Sequence, residues 1–140
     1  MALVHETRIV IGTADCDALG HMNVARYIGL CNVNGFAMLT AMGWPPGQER
    51  DGLRLSFAVV QMDSQFLAEV LEGETLIVAS NILRIGTKSA TFRNRIRRDS
   101  GEAVFGSLWV SACLNLDTRR GEVIPDALRA DLARYLDPDA

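Results

Sequence analysis

The sequence predicts an α+β fold in which a curved antiparallel sheet wraps one long apolar helix, and three observations lead there. No formal charge occurs between Arg26 and Glu49, so the intervening segment demands burial on nearly every side. From Arg54 onward the apolar residues recur at the period of strands rather than of helices. Glu72-Gly73-Glu74, Ile85-Gly86-Thr87, Asp99-Ser100-Gly101 and Arg120-Gly121 then fall at strand-length intervals, the mark of antiparallel strands joined by tight turns.

Taken in order, residues 4–12 read as a first strand through Val4, Thr7, Ile9 and Ile11, ending at Gly12. In the helix that follows, Val24, Ile28, Cys31, Gly35 and Leu39 line one stripe, while Tyr27, Leu30, Phe36 and Met38 spread apolar surface around the cylinder. Asn23 or Asp17 supplies the oxygen that caps its first free N–H groups, and Gly43 with Trp44-Pro45-Pro46 stops it. The Gly- and Pro-rich stretch to Leu53 is either a lid or a surface return. Strands are expected at about 55–70, 75–85, 88–98 and 103–116, the last with Phe105, Ser107, Trp109, Ser111 and Cys113 on one face. Pro125 opens a short helix with Leu128, Leu132, Tyr135 and Leu136 on one side. One sheet cannot enclose the long helix, so its open side and its edge predict pairing with a second copy about a two-fold axis.

Composition narrows the class. With 140 residues, 49% apolar and 22% charged, residues 1–140 are expected to form a single globular domain. A net charge of −3 argues against a general nucleic-acid binder. Residues 27–42 are too short, and too interrupted by Gly29, Asn32, Asn34 and Gly35, for a membrane span. The N-terminus lacks a basic stretch followed by an apolar core, so a cytoplasmic location is expected. Cys16, Cys31 and Cys113 are odd in number and lack metal-ligand spacing, and His5 and His21 are the only histidines, so free thiols and no metal site are expected.

The chemistry concentrates in Asp15-Cys16-Asp17-Ala18-Leu19-Gly20-His21-Met22-Asn23-Val24-Ala25-Arg26-Tyr27. Two carboxylates, a glycine and a histidine stand at a helix entrance, where free N–H groups and the positive end of the dipole favour a carboxylate or a developing oxyanion. A carboxylate beside oxyanion donors can perform acyl transfer, although aspartates before helices also serve as turn and capping residues. A second signal is a basic island: Arg84, Lys88, Arg93, Arg95, Arg97 and Arg98 lie in a window without an acid. Alternation puts Arg93, Arg95 and Arg97 on one strand face, either solvated or available to phosphates.

The thirteen-residue motif resembles the signature of the 4-hydroxybenzoyl-CoA thioesterase family of hotdog-fold proteins, commonly D-x-D-x-x-G-H-h-N-N-A-R-Y with h apolar. Glu72-Gly73-Glu74 before a strand, Gly86-Thr87-Lys88-Ser89 in a hairpin and Ile124-Pro125 near the end extend the likeness along nearly the whole chain. It implies a hotdog thioesterase that hydrolyses an acyl-CoA without a cofactor or metal, as a homodimer or a dimer of dimers. In it Asp17 matches the catalytic carboxylate, as nucleophile or as general base. Gly20, His21, Met22, Asn23 and Val24 match the turn and helix start that bind the thioester oxygen, and Val24 departs from the frequent second Asn. Gly86, Thr87, Lys88 and Ser89, with Arg93 and Arg95, are the residues expected on the substrate. The alternatives are a hotdog acyl-CoA hydratase or dehydratase, which would need Asp17 and His21 on opposite sides of the substrate, and a non-catalytic acyl-CoA-binding protein.

Overall fold

A computed structural model describes residues 1–138. The chain runs β1 (His5–Val10), a 3-10 turn (Thr13–Asp15), α1 (Val24–Ala41), β2 (Glu49–Arg50), β3 (Leu53–Phe66), β4 (Thr75–Ile85), β5 (Ser89–Arg98), β6 (Ala103–Asn115), β7 (Arg120–Gly121) and α2 (Asp126–Ala133). The strands form one antiparallel sheet in the order β1-β4-β5-β6-β3-β2, with β7 paired to β6. Its inner face holds Leu76, Val78, Ile82, Phe92, Ile96, Phe105, Trp109 and Cys113, all buried in the one core that also takes the buried face of α1. This is the expected arrangement, a curved sheet around one helix: the hotdog fold.

Asn23 is the cap of α1, its side-chain oxygen accepting the Ala25 N–H at 2.8 Å. Gly43 stops the helix at φ +93°, a left-handed conformation that a residue with a Cβ adopts only with strain. The buried stripe differs from the expected one. Tyr27, Leu30, Cys31, Asn34, Met38 and Leu39 face the sheet, whereas Val24 is 60% exposed. The polar Asn34 shifts the stripe because its bonds are made inside: Nδ2 donates to Ser80 Oγ and to the His5 carbonyl, and Oδ1 accepts from Thr7 Oγ1. Ser80 Oγ in turn donates to Asn94 Oδ1, so a polar row crosses the sheet beneath an apolar helix.

Two other boundaries moved. The strand expected to reach residue 70 ends at Phe66, and Arg120-Gly121 is not a turn but the short β7, the turn lying just before it with Arg119 at φ 60°. The stretch after α1 folds back through β2, whose hairpin with β3 turns on Asp51 and Gly52, both at positive φ. Trp44 is buried there under Arg50, whose guanidinium lies 4.1 Å from the ring centre, and its Nε1 donates to Asp131 of α2 at 2.9 Å. The far end of α1 is closed in this way.

One long edge stays open. β2 covers only Leu53 and Arg54, so β3 from Leu55 to Phe66 is paired on one side alone. Val59, Val60, Met62, Phe66 and the following Leu67 are exposed along it.

Candidate active site

The site grows from the crossing of two loops. Residues 16–23 form a small antiparallel turn in which the Asp17 N–H donates to the His21 carbonyl and the Gly20 N–H to the Asp17 carbonyl, with Gly20 at φ +83°. The turn is stitched to the loop between β3 and β4, because the Met22 N–H donates to the Val70 carbonyl at 2.7 Å and His21 bridges to Leu71. Buried Met22 and Val70 fasten both loops to the core.

The two motif aspartates have different fates. Asp15 is turned inward: Arg26 Nε donates to its Oδ1 at 2.6 Å and the Gly12 N–H to its Oδ2 at 2.8 Å. Asp17 is exposed, and among the described residues only its Oδ1 is engaged, by the Leu19 N–H at 2.9 Å. It faces a cleft of about 460 Å³, a size suited to a small ligand group, walled by Leu19, Met22, Val24, Tyr27, Phe66 and Leu67. Tyr27 packs edge-on against Phe66 with ring centres 5.2 Å apart, and its hydroxyl donates to the Ala68 carbonyl. Burial is the main cause that raises the Tyr27 phenol, which keeps it neutral.

Among the proposed oxyanion donors, the N–H groups of Gly20, Met22 and Asn23 are committed to the carbonyls of Asp17, Val70 and Asp15. Those of His21 and of Val24, the first residue of α1, have no backbone acceptor among the described residues. The thiols are quiet. Burial, then Glu72, Asp15 and Asp17, raise Cys16, and burial pushes Cys31 up to about 12. Among the described residues no group of side chains is suited to a metal ion and no helix is long and apolar enough to cross a membrane.

The remaining expected residues do not gather here. Gly86, Thr87, Lys88 and Ser89 form the β4–β5 hairpin, held by the Gly86 N–H on the Ser89 carbonyl and by Arg129 on the Gly86 carbonyl. The Asp17 turn sits at the start of β4 and this hairpin at its end, on the order of 30 Å away at about 3.3 Å per residue. Arg93, Arg95 and Arg97 do share the outer sheet face, as alternation requires, but differ in availability. Arg93 is buried, with Nε on Asn81 Oδ1 and Nη2 on the Asp137 carbonyl; Arg97 pairs with Glu6; Arg95 is exposed. Arg98 points the other way, into the β3–β4 loop, where it meets Glu74, Glu102 and the Glu69 carbonyl. Phe36 and Trp44, the other large apolar rings of this region, lie along and beyond α1, a helix about 27 Å long, and neither lines this cleft. Sequence reasoning missed Glu69, which lines the cleft and lies 3.3 Å from His21.

A family model described as the thioesterase-like superfamily matches residues 11–132. No curated protein matches the chain in sequence. Among solved structures, a hypothetical protein from Staphylococcus aureus in complex with CoA superposes with a TM-score of 0.87 at 17% identity, over 96% of this chain and 85% of that one. A 1,4-dihydroxy-2-naphthoyl-CoA thioesterase from Synechocystis gives 0.78 at 14% identity, over 93% and 96%. A predicted thioesterase from Bacillus stearothermophilus gives 0.81 at 22% identity, over 99% and 100%. At these identities the likeness is one of fold.

Proposed function

The chain belongs to the thioesterase-like superfamily, and on that premise we propose that it is an acyl-CoA thioesterase, with Asp17 as its catalytic carboxylate. The observation that carries this reading is the asymmetry of the two aspartates: Asp15 is consumed by Arg26 and Gly12, while Asp17 faces an apolar cleft at the entrance of a helix. A thioester carbonyl is a good electrophile, so a placed carboxylate and donors for the oxyanion suffice for its hydrolysis. The N–H groups of Val24 and His21 are the donors, and the apolar wall from Leu19 to Leu67 takes the acyl group. The nucleotide end of CoA needs cations, and this cleft offers none; its anchors are Lys88 and the rest of the Gly86–Ser89 hairpin, with Arg95. Arg93, already paired inside, contributes by holding the strand. Since cleft and hairpin lie at opposite ends of one protomer, a complete site takes its hairpin from a second copy joined along the open edge of β3.

The test is release of free thiol from short, branched, aromatic and long acyl-CoAs. Turnover of at least one is expected, and water addition without thiol release would instead indicate a hydratase. Asp17→Asn keeps the shape and the Oδ1 acceptor but removes charge and nucleophilicity, so kcat should fall roughly 10²-fold or more with thermal stability unchanged. Near-wild-type turnover of Asp17→Asn would return Asp17 to the role of a turn residue.

A further inference from the structure

A second carboxylate and an imidazole share the cleft with Asp17. His21 Nδ1 lies 3.3 Å from Glu69 Oε2, and both side chains line the cavity. The backbones of the two partners are fixed independently. His21 is held by the Asp17 N–H on its carbonyl and by its bridge to Leu71. Glu69 is held through Arg98, whose Nη2 donates to the Glu69 carbonyl at 2.7 Å and whose Nη1 pairs with Glu74. Glu74 closes the loop by accepting the Leu71 N–H at 2.7 Å. The other titratable groups around the ring are Asp17 and Cys16 in its own turn, Tyr27 on α1, Glu72 and Glu74 in the loop, and Arg98 on β5. Among the described residues the imidazole's one side-chain hydrogen-bond partner is Glu69.

A carboxylate at Nδ1 selects the tautomer that carries its proton there, because only an N–H can donate to it. Nε2 is then left with a lone pair, a proton acceptor rather than a donor. Building on acyl-CoA hydrolysis, we propose that Glu69 is a positioning residue that holds His21 as the acceptor of the hydrolytic water's proton, which leaves Asp17 for the attack on the thioester. The free Asp17 Oδ2 forms a bond to the carbonyl carbon, the C–S bond breaks, and CoA departs as its thiolate. Water then attacks the acyl carbon of the mixed anhydride while His21 Nε2 takes its proton. The acyl–Oδ2 bond breaks to regenerate the Asp17 carboxylate and release the acid, and His21 passes its proton to the thiolate. One water enters, and one acid and one thiol leave. In this scheme the two carboxylates of the cleft do different work, one attacking and one orienting.

The test has two arms on the full-length protein. Nitrogen-15 spectra of the imidazole rings at alkaline pH report which ring nitrogen carries the proton. His21 is distinguished from His5, the only other histidine, by its absence in His21→Gln. The wild type should show His21 protonated on Nδ1, Glu69→Ala, which removes the acceptor, should lose that preference, and Glu69→Asp should retain part of it. Turnover of hexanoyl-CoA or benzoyl-CoA, whichever the wild type hydrolyses faster, supplies the second arm. Glu69→Ala should lower kcat tenfold or more with KM within twofold, and Glu69→Asp should recover part of the loss. An unchanged His21 tautomer in Glu69→Ala, or kcat within twofold of wild type, overturns the proposal whatever the fate of the thioesterase reading. Absence of thiol release by the wild type from every acyl-CoA overturns the thioesterase reading instead, and the spectra still decide whether Glu69 sets the ring.

Discussion

At the scale of single residues, a motif of two aspartates two positions apart divides into one structural and one exposed carboxylate. Asp15→Asn should therefore behave oppositely to Asp17→Asn. Losing the charge-assisted bond from Arg26 should cost about 1–2 kcal/mol in a denaturant melt, while turnover of the folded fraction changes little. Asp15 and Asp17 were separable in the sequence only through the resemblance, because spacing alone makes both of them turn residues. Asn34 was misread for a related reason. A polar residue in an apolar helix looks like an interruption until its three partners, brought in from β1 and β4, are known. Glu69 was illegible because its partner lies 48 residues away, and an acidic residue in a charged loop gives no local sign of facing an imidazole.

At the scale of elements, the five long strands and both helices were legible from period and turn chemistry, the two-residue β2 and β7 were not, and the β4 boundaries fell where the Glu72 and Gly86 turns put them. The end of β3 was not, because Leu67, Ala68 and Val70 continue an apolar run that the chain uses to turn a corner rather than to extend a strand. That corner depends on Arg98, a member of the basic island that the loop claims through Glu74 and the Glu69 carbonyl. Burial opposes ionisation of Glu74, but the Leu71 N–H and the Arg98 guanidinium outweigh it and hold the carboxyl below its ordinary value of 4.5. A lowered carboxyl contributes stability that is complete above the unfolded value and is lost as pH falls through the folded one. Glu74→Gln should thus melt below wild type at pH 7, and the difference should close as the pH is taken below 4.5. A gap that persists at pH 3 would assign the loss to packing rather than to the charge.

At the scale of the whole molecule, the open β3 edge and its exposed Val59, Val60 and Met62 expect a partner. Val60, 66% exposed at the bulge between Val59 and Gln61, makes no core contact that a charge would disturb. Val60→Asp should leave the melting temperature of the protomer nearly unchanged while light scattering falls from a dimer to about 15 kDa, and thiol release should fall with it. A dimeric Val60→Asp would place the contact elsewhere. The length of β4 carries a further consequence. If each site joins the Asp17 turn of one copy to the Gly86–Ser89 hairpin of another, no single chain owns a site, and two inactive chains can complement each other. Asp17→Asn and Lys88→Glu, each impaired alone, should regain activity when unfolded and refolded together. With random pairing half the dimers are mixed and each restores one of its two sites, so about a quarter of wild-type activity should return. A heterozygous cell would then carry function that neither allele encodes.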